Sequence, residues 1–313
     1  MADVQLTGVV KRYGEVVAVN GIDLHIKSGE FVTLLGPSGC GKTTTLRCIA
    51  GLEKTDGGEI RIGDVVVSGR GVFVPPDRRE LGMIFQSYAI WPHMTVFDNV
   101  AYGLKIKRLP RAQIEERVRR ALEIVGLASY ANRYATQLSG GQQQRVAVAR
   151  SVALQPKVLL FDEPLSNLDA KLREQMRFEL RELQRQVGIT SIYVTHDQSE
   201  AMAMSDRIVL MKDGNIVQQG PPAEVYLKPN SVFAADFLGL MNFVVATVAE
   251  HRPDGFTVCR RGELEFVCRP AQPVPVGEDV VLGVRPEQIK LWWTRPEGEA
   301  NVWPVTIQQY TYL

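Results

Sequence analysis

The 313-residue chain has no apolar run approaching the roughly 18 residues needed to cross a bilayer. Its start, Met1-Ala2-Asp3-Val4, carries no basic segment followed by an apolar core, so no export signal is visible. The net charge is only +1, which gives no electrostatic basis for holding nucleic acid or an anionic lipid surface. There are four cysteines, Cys40, Cys48, Cys259 and Cys268, and no two stand at a close metal-type spacing. Free thiols in a reduced, cytoplasmic protein are the plain expectation. No low-complexity tract and no internal repeat is present. What remains is ordinary for a globular chain: 45% hydrophobic and 23% charged residues, with length enough for two domains.

Against that background stands Gly36-Pro37-Ser38-Gly39-Cys40-Gly41-Lys42-Thr43, followed by Thr44. Two glycines separated by four residues, then Lys and Thr, fit the phosphate-loop pattern. Glycines let the backbone curl until several N–H groups converge on one anion. Lys42 then reaches the β- and γ-phosphates of a nucleotide, and the Thr43 hydroxyl ligates Mg²⁺. The flanks agree. Phe31-Val32-Thr33-Leu34-Leu35 reads as a buried strand, and 43–50 as a helix whose dipole adds to the anion site. A glycine-rich turn between strand and helix is the simpler alternative.

Other chemistry-bearing residues stand at strand ends. The apolar runs 81–86, 158–161 and 191–195 close on Gln86, on Asp162-Glu163 and on His196. In α/β sheets ligands bind at the carboxyl ends of strands. Paired acids there are costly unless a cation or a proton lies between them. Beside a phosphate loop they divide the labour: Asp162 holds Mg²⁺, directly or through water, and Glu163 polarises an attacking water. A solvated strand end is the alternative for Gln86, and a structural role for His196. Leu138-Ser139-Gly140-Gly141-Gln142 opens a helix running to about 153 and makes a second anion site conceivable. Ser139 serves equally well as a plain N-cap. Tyr13 falls in a turn at 11–14, where half-buried packing is its simplest use. The stretch Tyr88-Ala89-Ile90-Trp91-Pro92-His93-Met94 has neither helix nor strand period and reads as an exposed contact loop. His93 has no partner pattern for a metal.

Periodicity adds strands at 4–10 and 22–26 and a hairpin of 59–62 with 64–67 around Gly63. It adds an amphipathic helix at 111–125 and a long helix from about 170. A second hairpin, 207–212 with 215–219, turns at Asp213-Gly214, and 221–237 is mostly helical. From about 242 short β-prone runs recur at 243–249, 256–259, 264–268, 280–284 and 302–307. Pro and Gly separate them, as in a small β-barrel. Arg260, Arg261 and Arg269 lack interleaved aromatics, so no oligonucleotide partner is expected.

In this order and spelling the motifs closely resemble those of the ATP-binding subunits of ABC transporters. The resemblance is to the importer type with a C-terminal OB-like (TOBE) regulatory β-barrel, and it covers essentially the whole chain. The 36–43 loop is similar to Walker A, 138–142 to the signature motif, and 158–162 to Walker B with Glu163 as the catalytic carboxylate. Gln86 matches the Q-loop, Ser166-Asn167-Leu168-Asp169 the D-loop, His196 the switch histidine, and Tyr13 the aromatic that stacks on adenine.

The resemblance implies an α/β P-loop ATPase domain at 1–240, with a helical subdomain at about 87–153, and an all-β domain at 241–313. It implies ATP as ligand and Mg²⁺ held by Thr43, Gln86 and Asp162. Two such subunits, a homodimer in the plain case, are expected to pack head to tail, each ATP lying between one phosphate loop and the other chain's 138–142 segment. Glu163 is then the general base, and His196 with the partner's Ser139 and the partner's Gly141 holds the γ-phosphate. Two separate permease chains met through the 88–94 loop, an extracytoplasmic solute-binding protein, and a place on the inner face of the cell membrane follow from the same resemblance. Segments 87–94 and 235–239 look more like iron(III), polyamine or phosphonate importers than sugar importers. A soluble ABC-type ATPase of repair or translation is the rival reading; such proteins carry two nucleotide domains or long inserted arms, and neither is present. The family's β domain ends later than Tyr312-Leu313, where this chain stops in what looks like a strand, so an incomplete domain is expected. Cys40 places a thiol inside the loop, and a thiol-blocking reagent is expected to stop hydrolysis, with ATP protecting.

Overall fold

A computed structural model describes residues 1–270, 273–294, 296–297 and 300–305. The chain forms two compact units, Met1–Lys228 and Pro229–Leu313. The first opens with β1 (Val4–Tyr13), β2 (Val16–Ile26), β3 (Phe31–Leu35) and α1 (Lys42–Ala50). Next come β4 (Gly57–Ile62), β5 (Val65–Gly69), β6 (Val72–Phe73) and β7 (Leu81–Ile84). Three helices follow: α2 (Val96–Ile106), α3 (Arg111–Ile124) and α4 (Gly140–Ala153). Then come β8 (Val158–Asp162), α5 (Ala170–Val187), β9 (Thr190–Thr195) and α6 (Gln198–Met204). β10 (Arg207–Lys212), β11 (Asn215–Gly220) and α7 (Pro222–Leu227) complete the unit.

Six strands make one sheet in the order β11-β10-β3-β9-β8-β7, parallel except for β11. Every residue of β3, β8 and β9 is buried, as suits central strands covered on both faces. Alternation then sorts their side chains between two cores. Val32, Leu34, Val158, Leu160, Ile192 and Val194 join α1 and a second, antiparallel sheet of order β2-β1-β4-β5-β6. Phe31, Leu159, Phe161 and Tyr193 point the other way, into the core that α2, α3, α4 and α5 cover. The Phe31, Phe161 and Tyr193 rings meet there with centroids 5.8 to 6.3 Å apart. Arg79 ties α1 to the antiparallel sheet. Its guanidinium donates to the carbonyls of Cys48 and Ile49 at the helix C-terminus and to those of Val67 and Val74, where a cation also complements the helix dipole.

Several boundaries differ from those periodicity suggests. β1 runs on through Tyr13, and the turn is Gly14-Glu15. β7 stops at Ile84, because the Tyr88 N–H returns to the Phe85 carbonyl at 2.9 Å and turns the chain away from β8. Helices α2 and α6 are not among the elements that periodicity suggests. In α2 the apolar face is interrupted by Asn99, which is fully buried and feeds the carbonyls of Trp91 and Thr95.

The second unit holds α8 (Val232–Phe237), β12 (Asn242–His251), β13 (Thr257–Arg261), β14 (Leu264–Cys268) and β15 (Asp279–Val284). The strands form an antiparallel sheet of order β14-β13-β12-β15. Ala246, Val248 and Cys259 are its buried centre, with Phe266, Cys268, Val280 and Leu282 packed around them. Among the described residues after α8, the regular structure is β apart from one 3-10 turn at Pro286–Gln288, which fits the expected β domain. Of the strand expected at 302–307, residues 302–305 are irregular and 306–307 lie outside the described residues. The strand expected at Tyr312-Leu313 lies outside them too.

Candidate active site

Parallel pairing brings the motif residues to one edge. Leu35 pairs with Thr195, Val194 with Asp162, and Phe161 with Ile84. The chain segments leaving β3, β9, β8 and β7 therefore emerge side by side. They carry the 36–41 loop, His196, Glu163 and, two residues beyond its strand, Gln86.

The loop needs its glycines for reasons of space as well as conformation. A Cβ on Gly36 would lie 2.2 Å from the Met211 carbonyl oxygen, and one on Gly41 2.3 Å from that of Ala18. Gly41 has φ 103° and serves as N-cap of α1 without a side-chain acceptor. The first N–H groups of α1 are thus unclaimed by any cap, and its first turn holds no acid, which suits an anion. Lys42 is buried, and its Nζ donates to the carbonyls of Gly36 (2.8 Å) and Pro37 (2.9 Å), so the ammonium sits within the curl. Ser38 and Gly39 form the exposed crest; Pro37, Thr43 and Thr44 are half-buried. Cys40 is only 3% exposed, and burial pushes its thiol pKa up, with Lys42 opposing. A buried, protonated thiol is a poor target, so any block of hydrolysis through Cys40 requires a slow reaction or an opening of the loop.

Asp162 and Thr43 face each other, the Thr43 hydroxyl donating to Asp162 Oδ1 at 3.1 Å. Burial raises the Asp162 carboxyl above its ordinary range, and the Thr43 hydrogen bond and Arg47 pull it back. Beside it Glu163 adopts φ 46°, a left-handed conformation few non-glycine residues take. The Glu163 N–H donates to the Val194 carbonyl at 3.1 Å. Its Oε2 lies 3.2 Å from Nδ1 of His196, whose side chain is 58% exposed while that of Glu163 is 23% exposed. The base candidate is thus sheltered and the histidine stands at the opening. Ser166 donates from Oγ to the Glu163 carbonyl at 2.9 Å, and Asp169 caps α5 by accepting from the Leu172 N–H at 3.0 Å. Asn167 reaches across to the Gln86 carbonyl at 2.9 Å. This amide bridges the two loops, a link no spacing in the sequence reveals. The Gln86 residue itself is exposed.

Leu138, Ser139 and Gln142 spend their hydrogen bonds locally. Ser139 Oγ accepts from the Gln142 N–H and Gln142 Oε1 from the Ser139 N–H, a capping box at the start of α4. The Leu138 carbonyl accepts from Gln143 Nε2. Gly140 and Gly141 let α4 lie close on Leu168 and Leu172: an added Cβ would be 3.3 and 3.1 Å from those side chains. Tyr13 ends β1 as a residue 45% exposed, with Lys11 Nζ 5.1 Å from its ring centroid. Burial raises its pKa first and the Glu53 carboxylate next, while the Thr44 side chain acts the other way, so its hydroxyl neighbours the residue that follows the loop.

Among the described residues no group of three or more His, Cys, Asp or Glu is placed to hold a metal. The Thr43 hydroxyl and Asp162 carboxylate offer hard oxygens only, which suits an Mg²⁺ that keeps water and substrate oxygens as its other ligands. A cation there would also relieve the burial of the Asp162 charge.

A family model described as "ABC transporter" matches residues 19–166. The trehalose/maltose import ATP-binding protein of Thermococcus litoralis is 52% identical over 299 residues, 92% of this chain and 79% of that one. The chain belongs to the ATP-binding subunits of ABC transporters. It is of importer type and hydrolyses ATP. This ATP-binding subunit is also 49% identical to the Fe(3+) ions import ATP-binding protein of Photobacterium profundum, over 95% of this chain and 82% of that one. To the spermidine/putrescine import ATP-binding protein of Aliivibrio fischeri it is 48% identical, over 93% and 77%. Among solved structures, a dimeric bacterial ABC transporter cassette superposes with TM-score 0.61 at 34% identity, covering 70% of this chain and 98% of that one. cbiO1 from Clostridium perfringens, described as part of an ABC transporter complex, gives TM-score 0.66 at 30% identity, covering 72% and 90%. Among the described residues, no helix of the subunit is long and apolar enough to cross a membrane.

Proposed function

We propose that this subunit is the motor of a solute importer, working as a head-to-tail homodimer on two permease chains at the inner face of the cell membrane. The observation that carries the site is the convergence at one sheet edge of the 36–44 loop, Asp162, Glu163, His196 and Gln86. The loop N–H groups and Lys42 take the β- and γ-phosphates, and the face of Tyr13 away from Lys11 takes the adenine. Thr43, Asp162 and Gln86 hold Mg²⁺, which when bound neutralises charge on the phosphate oxygens. Glu163 accepts the proton of the attacking water, held by its left-handed backbone and the nearby His196 ring. His196 also faces the γ-phosphate. The 138–142 segment of one chain completes the other chain's site, a reading supported by its likeness to the family's signature motif. Ser166 and Asp169 then lie where two such chains meet. The ATPase domain is read as 1–240, with a helical subdomain at about 87–153, and 241–313 as a regulatory β domain. The 88–94 loop meets the permease, and an extracytoplasmic binding protein delivers the solute.

For the solute, segments 87–94 and 235–239 favour iron(III), polyamine or phosphonate. A relative named for trehalose/maltose stands at 52% identity beside those for Fe(3+) and spermidine/putrescine at 49% and 48%, so sugar is retained as the second reading. Solute choice rests with the binding protein and permease, which makes such closeness physically reasonable.

Glu163→Gln tests the core of this reading. Turnover is expected to fall by about 10²- to 10⁴-fold, the usual worth of a general base. ATP should still bind, and sedimentation should then show an ATP-dependent dimer. An unchanged kcat removes Glu163 as the base, and a strictly monomeric wild-type chain hydrolysing at full rate removes the shared site.

A further inference from the structure

Arg150, in the last turn of α4, is spent on the loop that follows Gln86. Its guanidinium donates to the carbonyls of both Tyr88 (2.8 Å) and Ala89. It also lies 5.1 Å from the centroid of the Trp91 ring. The Trp91 ring packs tilted against Tyr102 of α2 with centroids 4.2 Å apart, and Asn99 brackets its main chain, accepting from the N–H at 2.9 Å and donating to the carbonyl at 3.1 Å. Tyr88 and Ala89 have φ 60° and 47°, two successive non-glycine residues in the left-handed region. Such a pair is unfavourable on its own and persists where surroundings impose it. The Tyr88 hydroxyl is buried without a hydrogen-bond partner, a second sign of a conformation held from outside. A planar guanidinium fork suits two adjacent carbonyls in a way a lysine cannot match.

The clamp has two ends. The loop it grips begins at Gln86, whose carbonyl is already tied to Asn167. The helix it belongs to begins at Ser139, a rise of about 16 Å away along one continuous α-helix. We infer that Arg150 is a positioning residue that locks the 88–91 loop to α4, so that movement at either Gln86 or Ser139 is delivered to Trp91. This rests on the reading above, in which Gln86 and Ser139 meet nucleotide, and adds the part that carries their displacement to the contact loop. Its surface acceptors are main-chain carbonyls, so no side-chain pattern in the loop advertises the link.

The chain contains four tryptophans, and replacing Trp292, Trp293 and Trp303 by Phe leaves Trp91 as the reporter. The chain carrying these changes and Glu163→Gln is titrated with ATP and Mg²⁺ while Trp91 emission and acrylamide quenching are followed. Binding of radiolabelled ATP is measured in parallel. An ATP-dependent change at Trp91 is expected, and Arg150→Ala should abolish it while ATP affinity stays within about twofold. Arg150→Lys, with one charged donor for two carbonyls, should retain only part of the amplitude and serves if the alanine variant does not fold. Full amplitude in either Arg150 variant overturns the inference, as does a Trp91 silent to ATP in the parent chain that binds it. Absence of ATP binding in the parent strikes the nucleotide reading instead.

Discussion

Gly41 and Gly39 stand two residues apart in the loop, and the structure separates what an added methyl group does at each. Gly39 has φ 78° and open space around its missing Cβ. Gly39→Ala therefore meets only the left-handed penalty, about 1–2 kcal/mol. Gly41 has φ 103°, and its Cβ would sit 2.3 Å from the Ala18 carbonyl oxygen. Ala18 lies where the β1–β2 register shifts between Lys11 and Arg12, and main chain on both sides of it is paired, so the oxygen has little room to retreat. Overpacking of this kind adds about 1–3 kcal/mol. Relief comes most readily from moving the loop, which misaims the N–H groups of 40–43 that the phosphates require. Gly41→Ala is thus expected to weaken ATP binding by about 5- to 150-fold more than Gly39→Ala does. Equilibrium binding of a fluorescent ATP analogue measures this, with thermal unfolding of the nucleotide-free chains as a control for global stability. Equal affinities for the two variants, both folded, would refute the claim that close backbone approach dictates Gly41.

Asp162→Asn is expected to raise the stability of the nucleotide-free chain while removing Mg²⁺-dependent hydrolysis. Burial lifts the Asp162 carboxyl above its unfolded value, so its contribution to stability is fully present below that value and is lost as pH rises through the folded one. Melts at acid and neutral pH should show the advantage of the Asn variant growing with pH, and a less stable Asn variant at neutral pH contradicts this. For Cys40, Ellman's reagent should react at least about tenfold more slowly than with a small free thiol, because the buried thiol is held protonated. Rapid stoichiometric labelling of Cys40 in the folded, nucleotide-free chain would show that the loop is not closed over it.

Much of the ATPase unit is legible along the chain. β3, β8 and β9 are short, fully buried and mostly apolar because both faces of the central sheet are covered, and the motif residues stand at or just beyond their ends: the loop from Gly36, Asp162 with Glu163, and His196. Where the pattern is mixed, reading stops short. Periodicity marks β1 only to Val10, and α2 escapes it because a buried Asn99 stands on its apolar face, satisfied by carbonyls of the preceding loop and of Thr95. Cys40 looked reactive in the loop's spelling and is closed off by its packing. Arg150 carries no signal along the chain, since its acceptors are carbonyls more than fifty residues away in sequence.

By itself the amino-acid sequence determined the phosphate loop, the acid pair, the family and the central buried strands, because these depend on residue type and on contacts between near neighbours. Only the tertiary structure decided that Glu163 and His196 stand 3.2 Å apart, that Asn167 joins the Gln86 loop, and that Gly41 must be glycine for want of space beside Ala18. Those are distances between distant segments. They are set by sheet register and by how two cores pack on either face of one sheet, and no local pattern encodes them.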